Sequence, residues 1–177
     1  AFPTNTAYNN VKKTTGVTDP IIKRRSFIYS TSCSNERKKL AADEELTKYF
    51  IARYVQAHET YDPITYEYNY FTVVRLLSDR SIYYPFKNYI LSNPQSPRLL
   101  YGETTSSQLK IRSITLPNEG EARVSFTVTV SGARSGEFNK VATIKFSYYT
   151  LEMSQEERYV NPLGFQVTAY RVDEETL

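Results

Sequence analysis

The sequence predicts an α+β fold: helices first, then an antiparallel sheet with one covered face. Two observations carry this. Between residues 40 and 91 the apolar side chains recur at helical spacing, and from Leu109 onward they alternate with a period of two. The switch falls at Asn93-Pro94-Gln95-Ser96-Pro97, which cannot continue either pattern. Helices grouped before strands, joined by short links, suit one layer of helices packed in the concavity of one curved sheet.

The first helix is expected over residues 40–59. Leu46, Tyr49, Phe50, Arg53, Tyr54 and Ala57 form its stripe, and Ile51 and Val55 lie beside it as a second contact surface. Asp43-Glu44-Glu45 suits the positive end of the helix dipole. Asp62-Pro63 signals a second helix running to about Leu77, with Tyr66, Tyr70, Val73, Val74 and Leu77 on one face. Ser78 is positioned to cap a third, through about Leu91, burying Ile82, Phe86, Tyr89 and Ile90, with Pro85 in its first turns.

Four strands follow. Leu109 and Ile111 set a phase that slips by one at Ile114 and Leu116, which implies a bulge or the end of the strand. Pro117-Asn118-Glu119-Gly120 is a turn. Ala122, Val124, Phe126, Val128 and Val130 give the cleanest alternation, and residues 132–136 close a hairpin to a strand facing inward with Ala142, Ile144, Phe146 and Tyr148. Asn161-Pro162-Leu163-Gly164 then combines three turn signals. Asn bonds the backbone two residues on, Pro presets φ, and Gly suits the last position. The strand before it should stop at about Val160. In the strand after it, Phe165, Val167 and Ala169 share one side, and Gln166, Thr168 and Tyr170 the other, until Asp173-Glu174-Glu175 ends it.

Composition limits the function. The chain has 177 residues, 16 Tyr and 9 Phe but no Trp, which suits a core rim, a groove or an interface. Residues 1–40 carry a charge of +6, which leaves −3 on the remainder of a chain of net +3. A folded part that is not basic argues against a nucleic-acid binder. The basic leader reads as a solvated arm or a membrane-proximal segment. Cys33 is alone, so it makes neither an internal disulfide nor a cysteine-pair metal site. No apolar run approaches the roughly 18 residues of a membrane span.

Catalytic signals are thin. His58 is the one histidine. It lies near Glu59 and Asp62, and a cone-shaped fold could in principle use His58, Asp62 or Asp79 for isomerase or dehydratase chemistry. No nucleophile elbow or phosphate loop is present, and no catalytic, metal or cofactor group is assigned. Arg171, between Tyr170 and Val172, suits an ion pair or a partner contact.

The run Val160-Asn161-Pro162-Leu163-Gly164-Phe165-Gln166-Val167-Thr168, followed by Tyr170-Arg171-Val172-Asp173, closely resembles the signature of the eighth VirB-type component of bacterial type IV secretion systems. Lys48-Tyr49-Phe50-Ile51-Ala52-Arg53-Tyr54-Val55 is similar to that family's first periplasmic helix. Val74-Arg75-Leu76-Leu77-Ser78 and Ala142-Thr143-Ile144-Lys145-Phe146-Ser147-Tyr148 fall in the same order. The resemblance covers residues 41–175. It implies a nuclear-transport-factor-like fold: three N-terminal helices on a curved four-stranded antiparallel sheet. It also implies a periplasmic assembly domain at 41–177 behind a leader at 1–40, anchored to the inner membrane by a span outside this sequence. Members are non-enzymatic scaffolds that self-associate and contact other secretion subunits, including the channel protein that bridges both membranes. Arg53, Tyr54 and His58 on the first helix are the nominees for self-association.

Overall fold

The computed structural model describes residues 43–132 and 135–175; the expected leader at 1–40, with Cys33, lies outside the described residues. Four strands, β1 (Ser106–Asn118), β2 (Glu121–Ser131), β3 (Gly136–Tyr148) and β4 (Phe165–Glu174), form one antiparallel sheet in sequence order. Strict alternation makes β2 the spine: Ala122, Val124, Phe126, Val128 and Val130 are all buried. The phase slip in β1 is a bulge. Ile111 pairs with Phe126 and Ser113 with Ser125, so Arg112 is the extra residue. It keeps both Leu109 and Ile111 before it, and Ile114 and Leu116 after it, against the core.

Helices cover one face. The first, α1, occupies described residues 43–59. Its buried face is rotated from the expected stripe. Phe50, Ile51, Tyr54 and Val55 are essentially inaccessible, whereas Leu46 and Tyr49 are exposed. Ile51 and Val55, expected as a second contact surface, are buried in the core, so α1 is covered on more than one side. The second, α2, runs over Tyr66–Tyr68, Asn69–Val74 and Arg75–Leu77, and its middle segment is a π-helix. The wider turn brings Tyr70, Val73, Val74 and Leu77 to one buried side. Asp62 holds the turn ahead of this helix, accepting at Oδ1 from the amides of Ile64 and Thr65; the helix itself begins three residues after Pro63, with Thr65 at its N-cap.

The third helix, α3 (Arg80–Ser92), is capped by Asp79 and not Ser78. Ser78 is engaged elsewhere: its backbone bridges Val167, and its hydroxyl donates to Tyr54 Oη at 3.4 Å. Tyr83 and Ile90 are the buried residues of α3, while Tyr89, expected inside, is exposed. Pro85 sits in the second turn. A short α4 (Pro97–Tyr101) follows, in a stretch read as a plain link.

The chain ahead of the motif turn is also helical, not a strand. It forms α5 (Gln155–Val160), closed by a reciprocal capping box between Ser154 and Glu157. In β4 the expected alternation breaks. Lys145 pairs with Ala169 but Phe146 with Val167, so Thr168 is bulged out. Past that point the phase inverts, and Tyr170 and Val172 join Phe165 and Val167 on the core side, leaving Ala169 outside. The core centres on stacked rings: Phe165 lies 5.4 Å from Phe50 and 5.3 Å from Phe146. Tyr148 sits at the rim, half open, with its hydroxyl 2.8 Å from Thr47 Oγ1.

Candidate functional site

Where α1 ends, it meets β3 and β4 at the open end of the sheet. A cavity of about 360 Å³ opens there, lined among others by His58, Glu59, Phe86, Tyr101, Val128 and Lys140. The His58 ring packs 4.3 Å from Phe86 and 4.4 Å from Tyr170. Its Nδ1 lies 3.0 Å from Glu59 Oε1, which also accepts from the Tyr170 hydroxyl at 3.0 Å. Lys140 Nζ approaches the second Glu59 oxygen at 3.7 Å. Burial alone would raise the Glu59 carboxyl, but the bond to His58, the charges of His58 and Lys140, and the Tyr170 hydroxyl outweigh it and hold the group below its ordinary range. Burial, with the Glu59 charge beside it, pushes the Tyr170 phenol well up. The cluster is a compensated charge group closing the end of the core, with a histidine that can hold either sign of hydrogen bond.

The sequence-nominated residues do not converge there. Of His58, Asp62 and Asp79, only His58 lines the cavity. Asp62 holds the turn ahead of α2, and Asp79 caps α3, where the hydroxyl and amide of Ser81 hold its carboxyl below the ordinary range. Of the three alternatives, Asp62 and Asp79 therefore stand outside the cavity and His58 lines it. Tyr54 is wholly buried, between Tyr170 and Ser78, and presents no surface to a partner. Arg53 reaches the surface, its guanidinium donating to Tyr49 Oη at 3.0 Å. Arg171 is exposed on the outer face of β4 and pairs with Asp173 two residues along at 2.8 Å. Among the described residues no group of three His, Cys, Asp or Glu side chains is placed to hold a metal ion.

Two members of the cluster were legible; Lys140 was passed over, and Glu59 was named only as an acid near His58. Lys140 stands two residues before Ala142, so the alternation of β3 extended backwards points it inward. Glu59 is adjacent to His58. Tyr170 was hidden by the bulge at Thr168.

The motif turn is built differently from a free loop. Asn161 is fully buried. Its Nδ2 donates to Leu76 O at 2.7 Å and Phe165 O at 2.8 Å, and its Oδ1 accepts from the Phe165 amide at 2.9 Å. The bonds reach four residues on, not two, and across to the end of α2. Gly164 has φ +67°, and its carbonyl accepts from the Tyr149 amide at 2.9 Å. Pro162 and Leu163 face solvent.

Comparison with known proteins agrees with this architecture. The family described as VirB8 protein matches residues 26–175, so the match begins inside the basic leader. The type IV secretion system protein virB8 of Bartonella quintana is 36% identical over 138 residues, covering 76% of this chain and 58% of that protein. The chain thus spans just over half the length of such relatives. The soluble domain of TrwG from the type IV secretion machinery of Bartonella grahamii superposes with a TM-score of 0.69 at 32% identity, covering 75% of this chain and 95% of that one. The VirB8 protein of Agrobacterium tumefaciens gives a TM-score of 0.72 over 77% and 95% of the two chains; at 22% identity it speaks for the fold alone. The fold is nuclear-transport-factor-like.

Proposed function

The chain belongs to the VirB8 family of type IV secretion system components, and from that premise we propose that it is a non-enzymatic assembly scaffold. In this reading it self-associates and contacts other secretion subunits, including the channel protein that bridges both membranes. It works in the periplasm as part of a longer chain anchored to the inner membrane. No described helix is long and apolar enough to cross a membrane, so the anchor would lie elsewhere in that longer protein. The observation that carries the reading is the match over residues 26–175, supported by relatives named as secretion components.

Within the helix nominated for self-association, burial redistributes the roles. Tyr54 is unavailable; of the apolar groups of α1, Leu46 and Tyr49 are exposed, and the half-buried Arg53 brings its guanidinium to the surface beside Tyr49. We assign the contact to those. Sedimentation equilibrium over a wide concentration range tests it: a reversible dimer that Tyr49→Arg abolishes, with an unchanged unfolding midpoint, is expected. Association that survives Tyr49→Arg and Arg53→Glu together would remove α1 from the interface.

A further inference from the structure

A second hollow, a groove of about 470 Å³ between α1, α2 and the start of β1, differs in kind from the cavity beside His58: its lining carries one charge, Arg53, and no acid. Each wall has a local reason. On α1, Arg53, Gln56, Ala57 and Thr60 follow at i, i+3, i+4 and i+7, so they form one stripe. On α2 the lining residues are Tyr68, Asn69 and Val73, where the helix takes its π turn over Asn69–Val74. A turn closed by bonds five residues apart sets residues four and five apart on one side, so Tyr68 and Asn69 both share the side of Val73. Such turns recur at functional sites.

What the lining offers is specific. Gln56, Asn69 and Gln108 bring side-chain amides from three separate elements, and none of these amides is hydrogen-bonded to another described residue. Each carries donors and an acceptor side by side. The neighbouring hydroxyls are already engaged: Thr60 Oγ1 donates to Gln56 O at 2.6 Å, and Ser107 Oγ accepts from the Tyr61 amide at 2.7 Å. Arg53 donates one N–H to Tyr49 Oη and keeps the rest of its fork. Ala57 and Val73 are buried and make an apolar floor, while Tyr68, 51% exposed, leaves its ring open to solvent.

A complementary ligand is neutral, rich in adjacent hydroxyls, and carries one small apolar group. A cation would meet Arg53 with no acid to offset it, and an anion would find a single charged partner among amides. Adjacent hydroxyls each donate and accept, which planar amides and a guanidinium answer in pairs. The C–H face of a pyranose ring suits the face of Tyr68. The methyl of an acetamido group suits the floor of Ala57 and Val73, and its N–H and C=O suit the side-chain amides. The volume lies within the roughly 300–1,000 Å³ of small-molecule sites. We propose that this groove binds a neutral saccharide bearing an acetamido group, recognised through the side chains of Gln56, Asn69, Gln108 and Tyr68. This goes beyond the scaffold reading and does not depend on it.

The test titrates the 177-residue chain with the trimer of N-acetylglucosamine and follows the side-chain amide signals of Gln56, Asn69 and Gln108 by NMR. Comparison ligands are the glucose trimer, benzoate and a capped neutral peptide, Thr-Val-Thr-Val-Thr. Comparison proteins are Gln56→Ala and Tyr68→Ala; both positions are exposed, so both variants should keep the wild-type unfolding midpoint. Should either unfold, Gln108→Ala, at an exposed strand position, takes its place. Expected are saturable shifts confined to the three amides and the Val73 methyls, and magnetisation transfer from the Tyr68 ring to the sugar protons. Affinity should fall about fivefold in each variant, the loss of one neutral contact, and by a similar factor for the glucose trimer. No saturation at millimolar saccharide, shifts elsewhere, variants that bind as tightly as wild type, or equal binding of the glucose trimer overturns the proposal. So does tighter binding of benzoate, which would make Arg53 the anchor of an acid site, or of the peptide, which would make the groove a chain-binding one. Self-association is measured separately by sedimentation, so the saccharide site and the scaffold reading fail independently.

Discussion

Substituting alanine for Gly164 should be among the most damaging single-methyl changes available to this domain. Two costs combine. The residue sits at φ +67°, where a side chain is strained. A Cβ built there would also stand 1.8 Å from the backbone oxygen of Tyr149 and 3.0 Å from its carbonyl carbon. Backbone cannot swing aside as a flexible side chain can, so the start of β4 must separate from the end of β3. That movement forfeits the bond from the Tyr149 amide to Gly164 O. The left-handed conformation costs about 1–2 kcal/mol and the bond about 1 kcal/mol, so the change should cost about 3 kcal/mol or more. Gly102 supplies the control. Its φ is +58°, but a Cβ there meets nothing within 4 Å. Gly102→Ala should therefore cost only the conformational part, about 1–3 kcal/mol at its φ 58° and ψ −140°. Urea unfolding of both variants, followed by far-UV circular dichroism, measures the difference. Equal midpoints in the two variants would refute the steric argument and mean that β4 can be displaced at little cost.

Two further changes probe charge in buried places. Asn161→Asp keeps the shape but turns two donated bonds, to Leu76 O and Phe165 O, into contacts between oxygens. The loss should be on the order of 3 kcal/mol at neutral pH. An aspartate so placed has its folded-state pKa raised, so the deficit should shrink as pH falls and the carboxyl regains a proton; a deficit independent of pH would show the side chain has left the site. Glu59→Gln tests the cluster at the open end of the sheet. Because the Glu59 carboxyl is held below its ordinary value of 4.5, it contributes stability above that pH, and the contribution is lost as pH falls through the depressed value. Asp79, Glu121 and Glu157 are depressed too, but they are present in both proteins, so the comparison with wild type isolates Glu59. Chemical unfolding between pH 7 and pH 3 should show a shallower acid decline in Glu59→Gln; an identical decline would mean the His58 and Lys140 contacts do not persist in solution.

Which parts of the fold could be read in advance follows from how each residue type marks its phase. In β1 the slip was visible because large apolar residues stand on both sides of Arg112: Leu109 and Ile111 in one phase, Ile114 and Leu116 in the other. In β4 the same kind of bulge falls at Thr168, between Val167 and Ala169, and two small residues of mixed character carry no phase. The alternation therefore read straight through it and placed Tyr170 on the wrong side. In α1 the expected stripe holds for Phe50, Tyr54 and Ala57 but fails at Leu46 and Tyr49, which are exposed; only packing on more than one side of the helix shows that Ile51 and Val55 take their place. The helix before the motif turn did leave a signal, Ser154 followed three residues later by Glu157, but Pro162 beyond it suggested the end of a strand equally well. Lys140 was passed over because a charge at an inward position resembles a strand end unless a buried carboxylate is known to wait for it.

The motif turn shows how burial divides a signature between structure and contact. Asn161 and Gly164 are the residues whose chemistry the geometry requires. One satisfies the last carbonyl region of α2 and both backbone groups of Phe165, and the other admits the close approach of Tyr149. Through them α2, the end of β3 and the start of β4 are joined at one point, and Phe165 is delivered into the stack with Phe50 and Phe146. Neither can touch a partner without first breaking the fold. Pro162 and Leu163, between them, are exposed and make no comparable bonds. A substitution in this turn is therefore informative about assembly only at Pro162 or Leu163. A secretion defect from Asn161 or Gly164 reports first on the register of β4, and must be read against the stability of the same variant before any contact is assigned to it.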